Sequence, residues 1–206
     1  MKTTGELRIP PRAIVDSYKS KTDKDLETLV RLKLIGSRIL AKAFFRSLGI
    51  HPKTGRRAIK RMEALQWIGF DGKYIFTRSW QRIGYKSRKA GLYLATLPKK
   101  LSQLIFTFAL KTVTRREVRA RSSGSAMPKD LPSGYYCTAL NISPRSYFRK
   151  IQSAVKARLI RVTKQRTKIG RKEEFLALHK NLRGVPLFKF GKFTVCPAPS
   201  KIDYLI

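Results

Sequence analysis

Apolar residues in Asp23–Ile35 (DKDLETLVRLKLI) fall at positions 26, 29, 30, 32, 34 and 35, with acids in the opening turn. That spacing predicts an amphipathic helix, ended by Gly36. Arg38–Ser47 (RILAKAFFRS) predicts a second helix, and Pro52 opens a third that runs to about Gln66. WIGF and KYIF then flank Asp71-Gly72, a strong local signal for a two-stranded hairpin. Residues 78–97 form a basic, aromatic connector with one strand at Leu92–Ala95. Pro98 starts another helical run through RREVRAR at 115–121, an exposed helix end or a backbone contact. Ser122–Gly134, rich in Ser, Gly and Pro, reads as a loop. Beyond YYCTAL and LNIS, a helix begins at Pro144. LIRVTKQ and KEEFLALH then flank RTKIGR, which predicts a longer and more basic hairpin. The stretch Leu187–Val195 (LFKFGKFTV) alternates apolar and basic residues as a strand does, with Phe188 and Phe190 on one face. That face packs on the preceding domain or, alternatively, stacks on bases.

One phrase occurs twice. LGIHPKTGRRAIKRMEALQWI starts at Leu48, and LNISPRSYFRKIQSAVKARLI starts 92 positions later at Leu140, without a gap. Leu48/Leu140, Ile50/Ile142, Pro52/Pro144, Arg57/Arg149, Ile59/Ile151 and Ile68/Ile160 are identical pairs, and Lys53/Arg145 and Thr54/Ser146 are conservative ones. Leu-x-Ile places two apolar anchors in the turn before each helix. Ser143 is a good N-cap and Pro144 suits the first helical position, whereas His51 is a poorer cap. At about 100° per residue, Gly55, Ala58, Ile59, Met62 and Leu65 fall on one side of the first helix, and Lys53, Arg56, Arg57 and Lys60 on the other. Gly55 and Ala58 are small enough to let another helix approach. In the second helix Tyr147, Ile151, Ala154 and Ala157 form the buried side, and Arg145, Phe148, Arg149, Gln152 and Lys156 face out.

Charge gives these faces a partner. The chain has 206 residues, 42% hydrophobic and 10% aromatic, enough for one large or two small cores. It carries 46 Lys+Arg against 12 Asp+Glu, a formal net charge of +34. A compact body so unbalanced repels itself unless a polyanion supplies the missing charge. Nucleic acid ranks first and an anionic membrane surface well behind, since LIFTFAL at 104–110 is too short to span a bilayer. Residues 1–30 are nearly neutral, with six basic and five acidic residues. They are expected either to form a solvated leader or to contact another protein, away from the polyanion.

An outward face of Arg, Lys, Gln and Ser or Thr is the residue set of a DNA recognition helix. The bland alternative is a solvated basic face on an ordinary amphipathic helix. Two copies in so basic a chain favour DNA. Candidate contacts are Lys53, Thr54, Arg56, Arg57, Lys60 and Arg61 on the first helix, and Arg145, Ser146, Arg149, Gln152 and Lys156 on the second. Lys73 and Arg78 flank the first hairpin; Lys164, Arg166, Lys168, Arg171 and Lys172 line the expected second one, as phosphate contacts.

Three helices and a hairpin, twice over, resemble the winged helix-turn-helix superfamily in tandem form, across about residues 23–180. Bacterial and phage replication initiators with two winged-helix domains are similar in domain order, size and basic character. The expected fold is mostly α with small β-hairpin wings (α+β). It divides into a leader (1–22), a first winged-helix domain with its connector (23–97), a second (98–180) and a C-terminal strand and tail (181–206). The resemblance implies that the helices at 52–66 and 144–158 enter successive major grooves on one face of duplex DNA. Replication initiation, transcription regulation or DNA handling by a phage or mobile element is the implied setting, with a monomer on DNA preferred because tandem domains replace a dimer. Two rivals stay open: a packaging protein that coats nucleic acid through charge, and an RNA binder that stacks bases on Tyr85, Tyr93, Phe188 and Phe190.

Catalysis is not expected. His51 and His179 are the only histidines, and no Gly-rich stretch ends in Gly-Lys-Ser/Thr. The seven acids beyond residue 30 are scattered, where metal-dependent strand cleavage needs converging carboxylates. Cys137 and Cys196 lack metal-ligand spacing. No metal, cofactor or membrane anchor is expected, and MKTTGELRIPPRAIV has no apolar core of a secretory signal. The expected location is the cytoplasm, with the nucleoid, or alternatively a virion.

Overall fold

A computed structural model describes residues 6–49, 51–85, 91–121, 131, 133–163, 166–169, 188–190, 193–197 and 201–205. The fold is mixed α+β: seven helices with small antiparallel sheets among the described residues. The chain enters through β1 (Leu7–Ile9) and α1 (Pro11–Lys19). It continues through α2 (Asp23–Ile35), β2 (Arg38–Leu40), α3 (Ala41–Leu48), α4 (Pro52–Ala64), β3 (Ile68–Phe70) and β4 (Tyr74–Thr77). Strand β5 (Leu92–Leu94) precedes α5 (Leu101–Arg121), α6 (Ser133–Leu140) and α7 (Pro144–Lys156). Five strands follow among the described residues: β6 (Ile160–Thr163), β7 (Arg166–Ile169), β8 (Phe188–Phe190), β9 (Phe193–Pro197) and β10 (Lys201–Tyr204).

From α2 to β4 the elements follow the sequence pattern, apart from one segment. Arg38–Leu40 is not helical; it pairs antiparallel with β4, Ile39 opposite Ile75, in a three-stranded sheet ordered β2-β4-β3. Three residues are too few to show a period, and the pairing that makes them a strand is made 36 residues away, from Ile39 to Ile75.

The leader is no solvated tail. β1 pairs with β5, Leu7 opposite Leu94 and Ile9 opposite Leu92. α1 buries Ala13, Ile14, Val15 and Tyr18 and contacts α2, α5 and α6. One cluster of buried side chains therefore runs from Leu26, Phe44, Ile59 and Ile75 in the first half to Phe106, Leu110, Tyr136 and Tyr147 in the second. Each fully buried Leu, Ile, Met or Phe in it contributes about 1.5–3 kcal/mol relative to exposure.

The repeat persists in three dimensions. α3 and α4 recur as α6 and α7 at the same 92-residue offset and the same lengths. Gly49 (φ 62°) and Asn141 (φ 51°) make the same left-handed turn between the paired helices. Gly and Asn are the residues that tolerate that backbone best. Gln66 (φ 56°) and Arg158 (φ 58°) repeat the device after the second helix of each pair. There the amides of Trp67 and Leu159 donate to the carbonyls of Met62 and Ala154 at 2.9 and 3.0 Å.

The second hairpin is built otherwise than expected. β6 pairs with β10, Ile160 opposite Tyr204; the segment at 172–179 expected to flank the hairpin lies outside the described residues. The Leu205 amide donates to the Leu159 carbonyl as the Arg78 amide does to the Trp67 carbonyl, so β10 holds the place that β4 holds in the first half. RTKIGR is not a turn: Arg166–Ile169 is a strand, paired with β9 in a sheet ordered β7-β9-β8. The expected single strand at 187–195 is two strands, with Phe190 opposite Phe193. The stretch between β6 and β10 is thus an insertion carrying a sheet of its own, because the closing strand comes from the end of the chain.

Candidate nucleic-acid interface

Helices α4 and α7 owe their start to the same local chemistry. Pro52 and Pro144 occupy the first turn, where a missing amide costs nothing. The Ser143 hydroxyl accepts from the Ser146 amide at 3.2 Å. His51 also caps: its Nδ1 accepts from the Lys53 amide at 3.2 Å. Imidazole thus does the work usually given to a hydroxyl.

The buried faces match the period except at Leu65, which lies just past the end of α4 and is exposed. Gly55, Ala58, Ile59 and Met62 are buried on α4, and Tyr147, Ile151 and Ala154 on α7. Leu140 and half-buried Ile142 anchor the second turn, whereas Ile50 lies outside the described residues. Gly55 sits against Phe45: a β-carbon there would lie 2.4 Å from the ring. At the corresponding places in the second half stand Cys137 and Tyr147, the small and large partners exchanged. Tyr147 stacks on Tyr136 with centroids 5.9 Å apart and meets Phe106 edge-on. Burial pushes its hydroxyl above the ordinary tyrosine range.

Lys53, Thr54, Arg56, Arg57, Lys60, Arg145, Arg149, Gln152 and Lys156 are exposed. Ser146 is half-buried, its hydroxyl 3.1 Å from that of Ser143 and so tied into the cap. Arg61, although exposed, is engaged by an acidic side chain of the protein itself. Its Nε and Nη2 donate to the Asp25 carboxylate at 3.1 and 2.7 Å, and that bond holds the guanidinium above its ordinary pKa. It is the one member of the candidate set in an ion pair among the described residues. Two residues before Asp25, Asp23 receives Lys150 of α7 at 3.2 Å. The first turn of α2 therefore grips both repeated helices, one carboxylate each. Lys150 also lies 5.1 Å over the Tyr18 ring of α1, and Asn141 Nδ2 donates to the Lys19 carbonyl at 2.8 Å. None of this brace was legible in the sequence, since each contact joins distant segments.

The β3–β4 hairpin adds a basic edge. Asp71 closes its turn by accepting from the amides of Tyr74 and Lys73 at 2.6 and 3.0 Å, which hold its carboxyl below the usual range. Lys73 and Arg78 are exposed at its two ends. Arg38 lies 4.1 Å over the Tyr74 ring and 5.4 Å from that of Phe76, and Lys73 5.6 Å from Tyr74. The sequence reading missed Arg38, because only the β2–β4 pairing carries it to this edge. On the second side, Arg166 and Lys168 belong to β7, while Lys164, Arg171 and Lys172 lie outside the described residues. Of the proposed stacking residues, Tyr93 is exposed on β5 and Tyr85 is half-buried against Trp80, centroids 6.4 Å apart. No helix among the described residues is long and apolar enough to cross a membrane.

No protein-family model, curated protein or solved structure matches the chain.

Proposed function

We propose that this protein binds double-stranded DNA through two winged-helix units in tandem, with α4 and α7 as the recognition helices. The order α2-β2-α3-α4-β3-β4, with the sheet ordered β2-β4-β3, supports the first unit. The offset copy α6-α7-β6, closed by β10, supports the second. One observation carries the reading: two helices of equal length, capped at the same position, turn basic faces to solvent, and of their candidate contacts only Arg61 is held in an ion pair among the described residues. Arg and Lys there suit guanine edges and phosphates, and Gln152 suits adenine. The edge formed by Arg38, Lys73 and Arg78 grips backbone beside α4. Binding rather than catalysis is its role, and its setting is replication initiation, transcription control or DNA handling by a phage or mobile element.

Selection from a random duplex pool at two salt concentrations tests this. A preferred site is expected, on which Arg57→Ala and Arg149→Ala each cost about 1–3 kcal/mol and relax its preference. The +34 charge favours a second reading, a packaging protein that coats nucleic acid without preference. A steep salt dependence with no selected site would decide for it. Preference for single strands or RNA over duplex DNA would overturn both.

A further inference from the structure

Outward positions of α4 and α7 differ in a chemically ordered way. Phe148, Gln152 and Val155 lie at spacings of four and three along one flank of α7, all exposed, Phe148 at 53% and Val155 at 41%. Their counterparts 92 positions earlier on α4 are Arg56, Lys60 and Glu63, also exposed. Exposing a phenyl ring wastes burial, yet this one is held in place: it meets the Tyr147 ring edge-on at 5.3 Å, and Tyr147 is locked in the core. The flank is rimmed by Arg145, Arg149 and Lys156, and α7 contains no acidic residue. That charge selects a polyanion as the occupant over an ordinary protein surface.

We infer that α7 reads A·T pairs and α4 reads G·C pairs, so that the protein recognises a composite site with two chemically different halves. This deepens the DNA-binding reading and rests on it. In the major groove only thymine presents a methyl group, and only adenine offers the N7 acceptor and N6 donor that a glutamine side chain can pair with. Phe148 receives a thymine methyl, Gln152 pairs with a neighbouring adenine, and Val155, one turn on, receives a second methyl. On α4, Arg56 and Lys60 donate to guanine O6 and N7, and Glu63 accepts from cytosine N4. The shared pairs Lys53/Arg145 and Arg57/Arg149 supply grip common to both halves.

Replacing thymine by deoxyuracil in the selected site removes the methyl and leaves base pairing unchanged. The parent protein is expected to lose about fourfold in affinity for each contacted methyl in the A·T half. Phe148→Ala binds less tightly and no longer distinguishes uracil from thymine at the first position, while Phe148→Leu retains part of the difference. Melting should match the parent, since the ring is exposed. A selected site indifferent to uracil, or a Phe148→Ala protein still sensitive to uracil at that first position, overturns the inference and leaves the DNA-binding reading standing. A pool that yields no site defeats that reading, and this inference with it.

Discussion

Gly55 of α4 lies so close to the Phe45 ring of α3 that a β-carbon would stand 2.4 Å from two ring atoms. The contact sets how deeply one helix nests on the other. Gly55→Ala forces the ring or the helix aside, at a cost of about 1–3 kcal/mol from overpacking. In the second half the same two places hold Cys137 and Tyr147, which points to the remedy. Phe45→Cys alone empties core volume, but in the Gly55→Ala background it relieves the clash. Denaturant unfolding of the four proteins of this cycle should give a favourable coupling; strict additivity would mean that the helices do not meet there.

The Asp25 carboxylate, 8% exposed, is held by two guanidinium nitrogens of Arg61. Arg61→Ala leaves a buried carboxylate without its strongest donor and is expected to cost about 1–3 kcal/mol in stability. Lys150→Ala, at a more open pair, costs less. Because both pairs converge on the first turn of α2, losing them together should also loosen the two repeated helices relative to each other. Amide hydrogen exchange checks this: faster exchange in α4 and α7 of the double variant is expected, with α5 unchanged.

Lys33 of α2 packs over Trp80 at 4.8 Å and donates to the Arg78 carbonyl; burial lowers its pKa from 10.5 to about 8. Since the folded pKa lies below the unfolded one, the folded state binds fewer protons between these values. Stability contributed by this group therefore rises with pH from about 8 to 10.5, and the penalty is fully present below that window. Denaturation of the parent and of Lys33→Met at pH near 7.5 and near 9.5 (assay conditions bracketing the lower pKa) checks the sign. The parent should gain on the variant at the higher pH.

Residues 164–200 separate two strands that close the second half as β3 and β4 close the first. Thr163 and Lys201 already stand opposite each other. Replacing 164–200 by a two-residue Asn-Gly turn should give a hairpin that still folds, with one cooperative melting transition. The shortened protein should bind DNA with a shallower salt dependence, the logarithmic slope falling by about 0.9 for each phosphate contact removed. Loss of cooperative folding would show that the insertion, and not β10, completes the core.

The stretches that carried their own period were readable from the amino-acid order. Pro52 and Pro144 mark helix starts wherever they stand, Gly55 and Ala58 announce a close neighbour, and Asp71-Gly72 makes its turn from its own side chain and backbone. The offset of 92 was visible for the same reason: caps, left-handed turns and buried faces are local devices, and two copies of a phrase make two copies of a shape. His51 was undervalued because its capping nitrogen lies on a ring seldom used that way.

Local order determined α2, α3, α4, α5 and α7, the first hairpin, the repeat and the basic outward faces, since each depends on residues within a turn or two. Tertiary structure alone decided that Arg38 enters a strand, that α1 joins both halves of one core and that Asp23 and Asp25 brace α7 and α4. It also decided that the second hairpin is closed from the far end of the chain. Each of these joins segments tens of residues apart, and such pairings follow from which surfaces remain to be buried once the local elements have formed.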